Sequence, residues 1–127
     1  MSLILGANKE LEEVSMSFLE QLPYIKVLDM SRTNIKILPI TLWSRRHLEY
    51  LDLSYTQIEC IGDLSNLQFL NLSGCFKLES LPNAIGQLFK FQSLNLFGCF
   101  KLTSIPCVII WLNGLKHLHI SQYSVLL

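Results

Sequence analysis

The stretch LNLSGCFKLESLP, Leu70 to Pro82, returns almost letter for letter as LNLFGCFKLTSIP, Leu94 to Pro106, an offset of 24 residues. Working outward, LDLSYTQIECI from Leu51 and LDMSRTNIKILP from Leu28 take the same register. Leu3, Leu5, Asn8, Leu11 and Val14 repeat the spacing of Leu70, Leu72, Cys75, Leu78 and Leu81, and Leu115, Leu118 and Ile120 begin one more copy. The opening leucines of the copies are Leu3, Leu28, Leu51, Leu70, Leu94 and Leu118, in steps of 25, 23, 19, 24 and 24 residues. A unit this short cannot bury its apolar face alone, so the copies must stack on one another.

That period and the L-x-L strand core are the pattern of a leucine-rich repeat. The expected fold is an α/β repeat solenoid, a horseshoe of about six repeats with a parallel β-sheet on the concave face and short 3₁₀ or loop returns. Side chains alternate across a strand, so the leucines of each L-x-L point inward and the residue between them points outward. Strands are expected around Leu3–Leu5, Leu28–Met30, Leu51–Leu53, Leu70–Leu72, Leu94–Leu96 and Leu118–Ile120, in a single domain over residues 1–127. Asn8, Thr33, Thr56, Cys75 and Cys99 stand where the chain turns off each strand, and a small side chain there can turn inward to bond the backbone. Pro39, Pro82 and Pro106 open the returns. Leu42, Ile85 and Ile109 follow three residues on, then Leu88 and Leu112, then Leu48, Phe91 and Leu115, a spacing that suits 3₁₀ turns. The coil from Leu51 omits about five residues of return and is expected to bend most tightly. Two departures stand out. Arg45 takes the place of Leu88 and Leu112, so it should snorkel outward and leave an irregular backbone between Trp43 and His47. Ser15 stands where proline is found elsewhere.

Composition narrows the function. Half of the 127 residues are hydrophobic, and ten basic residues balance ten acidic ones without a cationic run, so nucleic-acid binding is not expected. The longest apolar run, Cys107 to Leu112, is far short of the roughly 20 residues that span a bilayer, and membrane insertion is not expected either. MSLILGANKE lacks the basic region of a secretory signal, and its leucines are accounted for by the first strand. In that context Cys60, Cys75, Cys99 and Cys107 are expected as free thiols, with Cys75 and Cys99 buried. Those two lie roughly 5 Å apart at strand spacing, which leaves a bridge open, but the repeat position already explains them. The sequon at Asn71 reads as a product of the LNLS strand.

No catalytic constellation emerges, and the chain is not expected to be an enzyme or to hold a cofactor or metal. His117 and His119 share one strand face with no third ligand in the pattern. Asp29 and Asp52 neighbour each other at a spacing that glycosidase carboxylates use, but on an open face, where they read as a charged patch balanced by Lys26 and Arg32. The outward face itself is informative. Its central column reads Ile4, Asp29, Asp52, Asn71, Asn95 and His119, the column before it Val27, Tyr50, Phe69, Ser93 and His117, and the column two residues beyond the centre Ser31, Ser54, Ser73, Phe97 and Ser121. Tyr50, Tyr55, Phe69 and Phe97 are aromatic anchors of the kind interfaces favour. The candidate partner-binding set is therefore Tyr50, Asp52, Tyr55, Phe69, Asn71, Asn95, Phe97, His117 and His119, with Asp29 and Arg32 at the rim. Phe76 and Phe100, just past the cysteines, are expected to stack along the ladder.

LPYIKVLDMSRTNIKILP, LEYLDLSYTQIECIGDLSNLQFLNLSGC and the doubled LSGC/LFGC phrase resemble the leucine-rich repeats of plant nucleotide-binding leucine-rich-repeat disease-resistance receptors. LILGANKELEEVSMSFLEQLPYIKVLDM is similar to the first repeats of their coiled-coil branch. The resemblance implies a cytoplasmic or nuclear recognition module in plant innate immunity, sensing a pathogen effector or a guarded host protein, or restraining the receptor's own nucleotide-binding domain. No P-loop, coiled-coil, TIR or ATPase segment is present, so nucleotide binding does not carry over. The alternative is a stand-alone intracellular repeat scaffold or adaptor in signalling. Solenoids need polar end caps, and Ser124-Val125-Leu126-Leu127 supplies none, so self-association through uncapped ends is expected.

Overall fold

The alternation of each L-x-L unit is realised as a short strand: β1 Ser2–Ile4, β2 Val27–Asp29, β3 Tyr50–Asp52, β4 Phe69–Asn71, β5 Ser93–Leu96 and β6 His117–Ile120. The computed structural model describes residues 1–39, 42, 46–62, 66–83, 85 and 89–120, without the side chains of 16, 110 and 111. The strands form one parallel sheet in chain order, β1 to β6, and each opening leucine pairs with the next, Leu3 with Leu28, Leu51, Leu70, Leu94 and finally Leu118. This is the leucine-rich repeat solenoid the period predicts.

The leucines of β2 to β5 are sealed in one core that runs the length of the stack, with Met30, Leu53, Leu72 and Leu96 beneath them. The two end coils differ. Leu3 and Leu5 are only partly covered, and Leu118 keeps 38% of its surface exposed, each having a neighbouring strand on one side among the described residues.

The prolines set the returns as expected. Leu42, Ile85 and Ile109 donate their N–H groups to the carbonyls of Pro39, Pro82 and Pro106 at 3.0, 3.2 and 3.1 Å, and Cys107–Trp111 continues as a 3₁₀ helix. Ser15 explains its own departure. Its hydroxyl accepts from the Phe18 N–H at 3.2 Å and caps α1, Met16–Glu20, which takes α-helical spacing, so Leu19 rather than Phe18 fills the core. The expectations for Arg45 and its surroundings, for Leu88, for the short return after Ile61 and for residues 121–127 fall wholly or partly outside the described residues.

The turn position after each strand works by two routes. Thr33 and Thr56 donate their hydroxyls to the carbonyls of Met30 and Leu53 in their own coil, both at 2.8 Å. Cys75 and Cys99 instead donate their thiols to Leu53 and Leu72 in the preceding coil, both at 3.0 Å. The cysteine coils carry one more residue before the next buried aliphatic side chain, Leu78 or Leu102 against Ile35 or Ile58, and close a local turn, Leu78 N–H to Cys75 and Leu102 N–H to Cys99, each 3.1 Å. The threonine coils run on beside the coil before, Asn34 N–H to Leu11 at 2.9 Å and Gln57 N–H to Ile35 at 3.0 Å. Asn8 corrects the pattern: in the outermost coil it is exposed, and its side-chain oxygen accepts from the Glu10 N–H. All four cysteines are free thiols, Cys75 and Cys99 buried as expected, Cys60 and Cys107 exposed. Burial pushes the Cys99 thiol up to about 12, and the neighbouring Cys75 adds to the rise. Burial raises Cys75 too, against a lowering hydrogen bond from Thr56.

Candidate functional site: the outward sheet face

Strand register places the sequence-predicted residues in two columns on the exposed face. One holds Val27, Tyr50, Phe69, Ser93 and His117, and the other Ile4, Asp29, Asp52, Asn71, Asn95 and His119. Within the first column the rings of Tyr50 and Phe69 lie 6.1 Å apart and tilted by 38°, a packed aromatic pair in the middle of the sheet. Burial raises the Tyr50 hydroxyl above its ordinary value, and Asp52 and Asp29 push it in the same direction. At the end of the sheet the rings of His117 and His119 stack at 6.5 Å.

The second column turns out to hold the backbone as well as face outward. Asp29 accepts the Ser31 N–H at 2.9 Å, Asp52 accepts both the N–H and the hydroxyl of Ser54, Asn71 does the same for Ser73, and Asn95 accepts the Phe97 N–H. Each Asp or Asn thereby closes a turn two residues on, the local bonding these side chains favour. Asn71 also leans its amide toward Asp52 at 3.5 Å. The expected balancing of Asp29 and Asp52 by Lys26 and Arg32 is not what forms. The ion pair present among the described residues joins Lys101 to Glu79 at 3.0 Å, and Arg32 goes elsewhere. Ser54 is buried beneath its bond to Asp52, so the third column is closed at that coil; it opens again at Ser73, which is partly exposed, and at Phe97, which is 60% exposed.

Sequence reasoning missed what lies beside this face. Ala7, Arg32, Tyr55, Gly74 and Gly98, each four residues after an opening leucine, all take positive φ, between 57° and 80°. The two glycines of the doubled phrase were the available signal, since glycine adopts that region without strain. The bend aims Arg32 at its neighbour: the guanidinium sits 4.5 Å from the centre of the Tyr55 ring. The ring in turn lies over Gly74, where a Cβ would come within 2.5 Å of the Tyr55 Cδ1. Arg32, Tyr55 and Gly74 form a graded shelf along one margin of the sheet. Phe76 and Phe100 are exposed on the same turns.

Among the described residues no group of three His, Cys, Asp or Glu side chains is placed to hold a metal ion, and no helix is long and apolar enough to cross a membrane. Chemically, the face offers paired rings, half-exposed carboxylates and amides fixed by backbone bonds, and at its margin a guanidinium 4.5 Å from the centre of an aromatic ring.

Comparison with known proteins agrees with the fold. Leucine-rich repeats are present: a family description "Leucine rich repeat" matches residues 1–58 and "Leucine Rich repeats (2 copies)" matches residues 46–85. No curated protein matches the chain in sequence. Among solved structures, the leucine-rich repeat domain of the type III effector XopL is similar, with a TM-score of 0.54 and 21% identity over 76% of this chain. The chain spans 42% of the length of that domain, and the likeness supports the solenoid architecture.

Proposed function

We propose that this chain is a protein-recognition module, without enzymatic activity or cofactor, that docks its partner along the outward sheet face. The observation that carries this reading is the set of aromatic side chains displayed there, Tyr50, Phe69, Tyr55 and Phe97, on strands whose turns are tied by the Asp and Asn ladder. Rigid aromatics lose little entropy on binding and dominate interface energies. The repeat wording supports a finer assignment to the effector-sensing and autoinhibitory repeats of a plant intracellular immune receptor, acting in the cytoplasm or nucleus. Its partner is then a pathogen effector, a guarded host protein or the receptor's own nucleotide-binding domain.

The test begins with the coding sequence upstream. A nucleotide-binding domain encoded there supplies the partner, and calorimetric titration of that domain into this chain measures the contact. Tyr50→Ala, Phe69→Ala and His117→Ala should each weaken binding by about tenfold, near 1.4 kcal/mol, with an unchanged circular dichroism spectrum. No such domain upstream favours the stand-alone scaffold. Normal binding by all three variants would show that another surface works.

A further inference from the structure

The formal net charge of zero is unevenly spread across the sheet. From the strand centres through the exit turns of β2 to β5, Arg32, Lys36, Lys77 and Lys101 meet Asp29, Asp52, Glu59 and Glu79 in equal number. Where the chain enters β2 to β6 that balance is lost. The five residues before each of these strands include, among the described residues, Lys26, Arg46, Lys90 and Lys116 against Glu49 alone. All four cations are exposed, Glu49 is half-buried, and the ion pair present among the described residues, Lys101 to Glu79, involves none of them.

Backbone bonds line these groups up. Glu49, Gln68, Gln92 and Lys116 donate their N–H groups to the carbonyls of Lys26, Glu49, Gln68 and Gln92, at 2.8, 2.8, 2.8 and 2.7 Å. The row Lys26, Glu49, Gln68, Gln92, Lys116 therefore advances one strand spacing at a time, roughly 4.8 Å, and the backbones of its two lysines stand about 19 Å apart. At its middle the Gln92 amide donates to the Gln68 side-chain oxygen at 3.2 Å. Two residues back along each coil, a second row opens with Tyr24 and His47, whose rings lie 5.2 Å apart, and passes through Asn66 to Lys90. Tyr24 is 68% exposed, and Phe89, next to Lys90 in the chain, is 94% exposed. The strand-entry margin thus presents four cations and two exposed rings, interrupted by one carboxylate.

We infer that this margin docks an extended acidic segment of a partner protein, which lies across the strands with carboxylates toward Lys26, Lys90 and Lys116 and apolar side chains toward Tyr24 and Phe89. Charge complementarity selects the occupant. At about 3.3 Å per residue, an extended chain of about six residues covers the row. A nucleic acid suits it less well. Duplex DNA brings about one charge per 1.7 Å, so four cations over that length leave most phosphates unanswered, and Glu49 and the bonded glutamines break the run. The margin lies outside the contact set on which the proposed function rests, so either reading can fail without the other.

Fluorescence anisotropy of the full chain with a labelled ten-residue peptide of alternating Glu and Leu tests it. The peptide should bind at about 0.01 M salt, where charges act over about 30 Å, and lose at least about tenfold in affinity at about 1 M, where they act over about 3 Å. The same peptide with Gln for Glu should not bind. Lys26→Glu with Lys90→Glu and Lys116→Glu should weaken binding at least about tenfold. Lys36→Glu with Lys77→Glu and Lys101→Glu makes the same change of net charge beyond the strands and should leave affinity within about twofold. Should a variant fail to fold, acetylation of the unaltered chain by an amine-reactive ester, read by mass spectrometry, reports the same contact: bound peptide should shield Lys26, Lys90 and Lys116 but not Lys36 and Lys77. Absent or salt-insensitive binding of the Glu peptide, equal losses in the two folded triple variants, equal shielding of both sets of lysines, or tighter binding of a ten-nucleotide DNA strand would each overturn the proposal.

Discussion

Gly74 and Gly98 occupy the same place in adjacent coils with nearly the same φ, 70° and 80°, yet they should respond differently to one added methyl group. Both substitutions to Ala place an L-residue in the left-handed region, at a cost of about 1 kcal/mol. At Gly98 the new Cβ meets only the Gly74 backbone, at 3.3 Å from N and 3.4 Å from Cα, close to ordinary contact. At Gly74 it would lie 2.5 Å from Cδ1, 2.6 Å from Cε1 and 3.0 Å from Cγ of Tyr55, so the ring must leave. The ring is 48% exposed and can swing into water, which limits the penalty, but departure forfeits its contact with Arg32, about 0.5–1 kcal/mol at an exposed site. Gly98→Ala should therefore cost about 1 kcal/mol and Gly74→Ala about 2 kcal/mol in urea unfolding. In a Tyr55→Asn background, where the ring is gone and the substitute tolerates positive φ, the two costs should converge. Equal costs in the parent chain, or a difference that survives Tyr55→Asn, refute the shelf of Arg32, Tyr55 and Gly74.

Further expectations concern the core and its thiols. Leu70→Ala or Leu94→Ala should destabilise by about 2–5 kcal/mol, and Leu118→Ala by under about 1 kcal/mol since 38% of its surface is already exposed, as thermal unfolding can compare. Thr56→Val should cost about 1 kcal/mol by deleting the hydroxyl bond to Leu53, while a Val at the exposed Thr103 should not register in the same assay. Alkylation with iodoacetamide at pH 8, read by mass spectrometry, should modify Cys60 and Cys107 promptly and spare Cys75 and Cys99 until the chain unfolds. The Cys99 thiol rises from an ordinary 9.0 to about 12 in the folded state, so its contribution to stability is complete below about pH 9 and is lost as pH climbs toward 12. Cys99→Ala should flatten that alkaline decline, and an unchanged slope would show that the thiol is not its source.

Much of this molecule is written in the periodicity of its sequence. The opening leucines locate six strands, alternation assigns each residue to the core or the face, and the proline positions mark the 3₁₀ turns, because these follow from one chain's local geometry repeated. The turn position held by Thr33, Thr56, Cys75 and Cys99 is legible for the same reason. Other features depend on a neighbouring coil and have no local signature. Whether Thr56 bonds its own strand or Cys75 reaches to the one before depends on how adjacent coils are set against each other. Arg32 and Tyr55 take a backbone conformation that only the glycines advertise, and the pairing of one with the other exists only once the coils are stacked. Asp52 reads in sequence as a surface charge, and folded it also closes the turn at Ser54. Leu118 and Asn8 share the letters or spacing of buried residues and are exposed, since burial in a solenoid is supplied by the coils on either side.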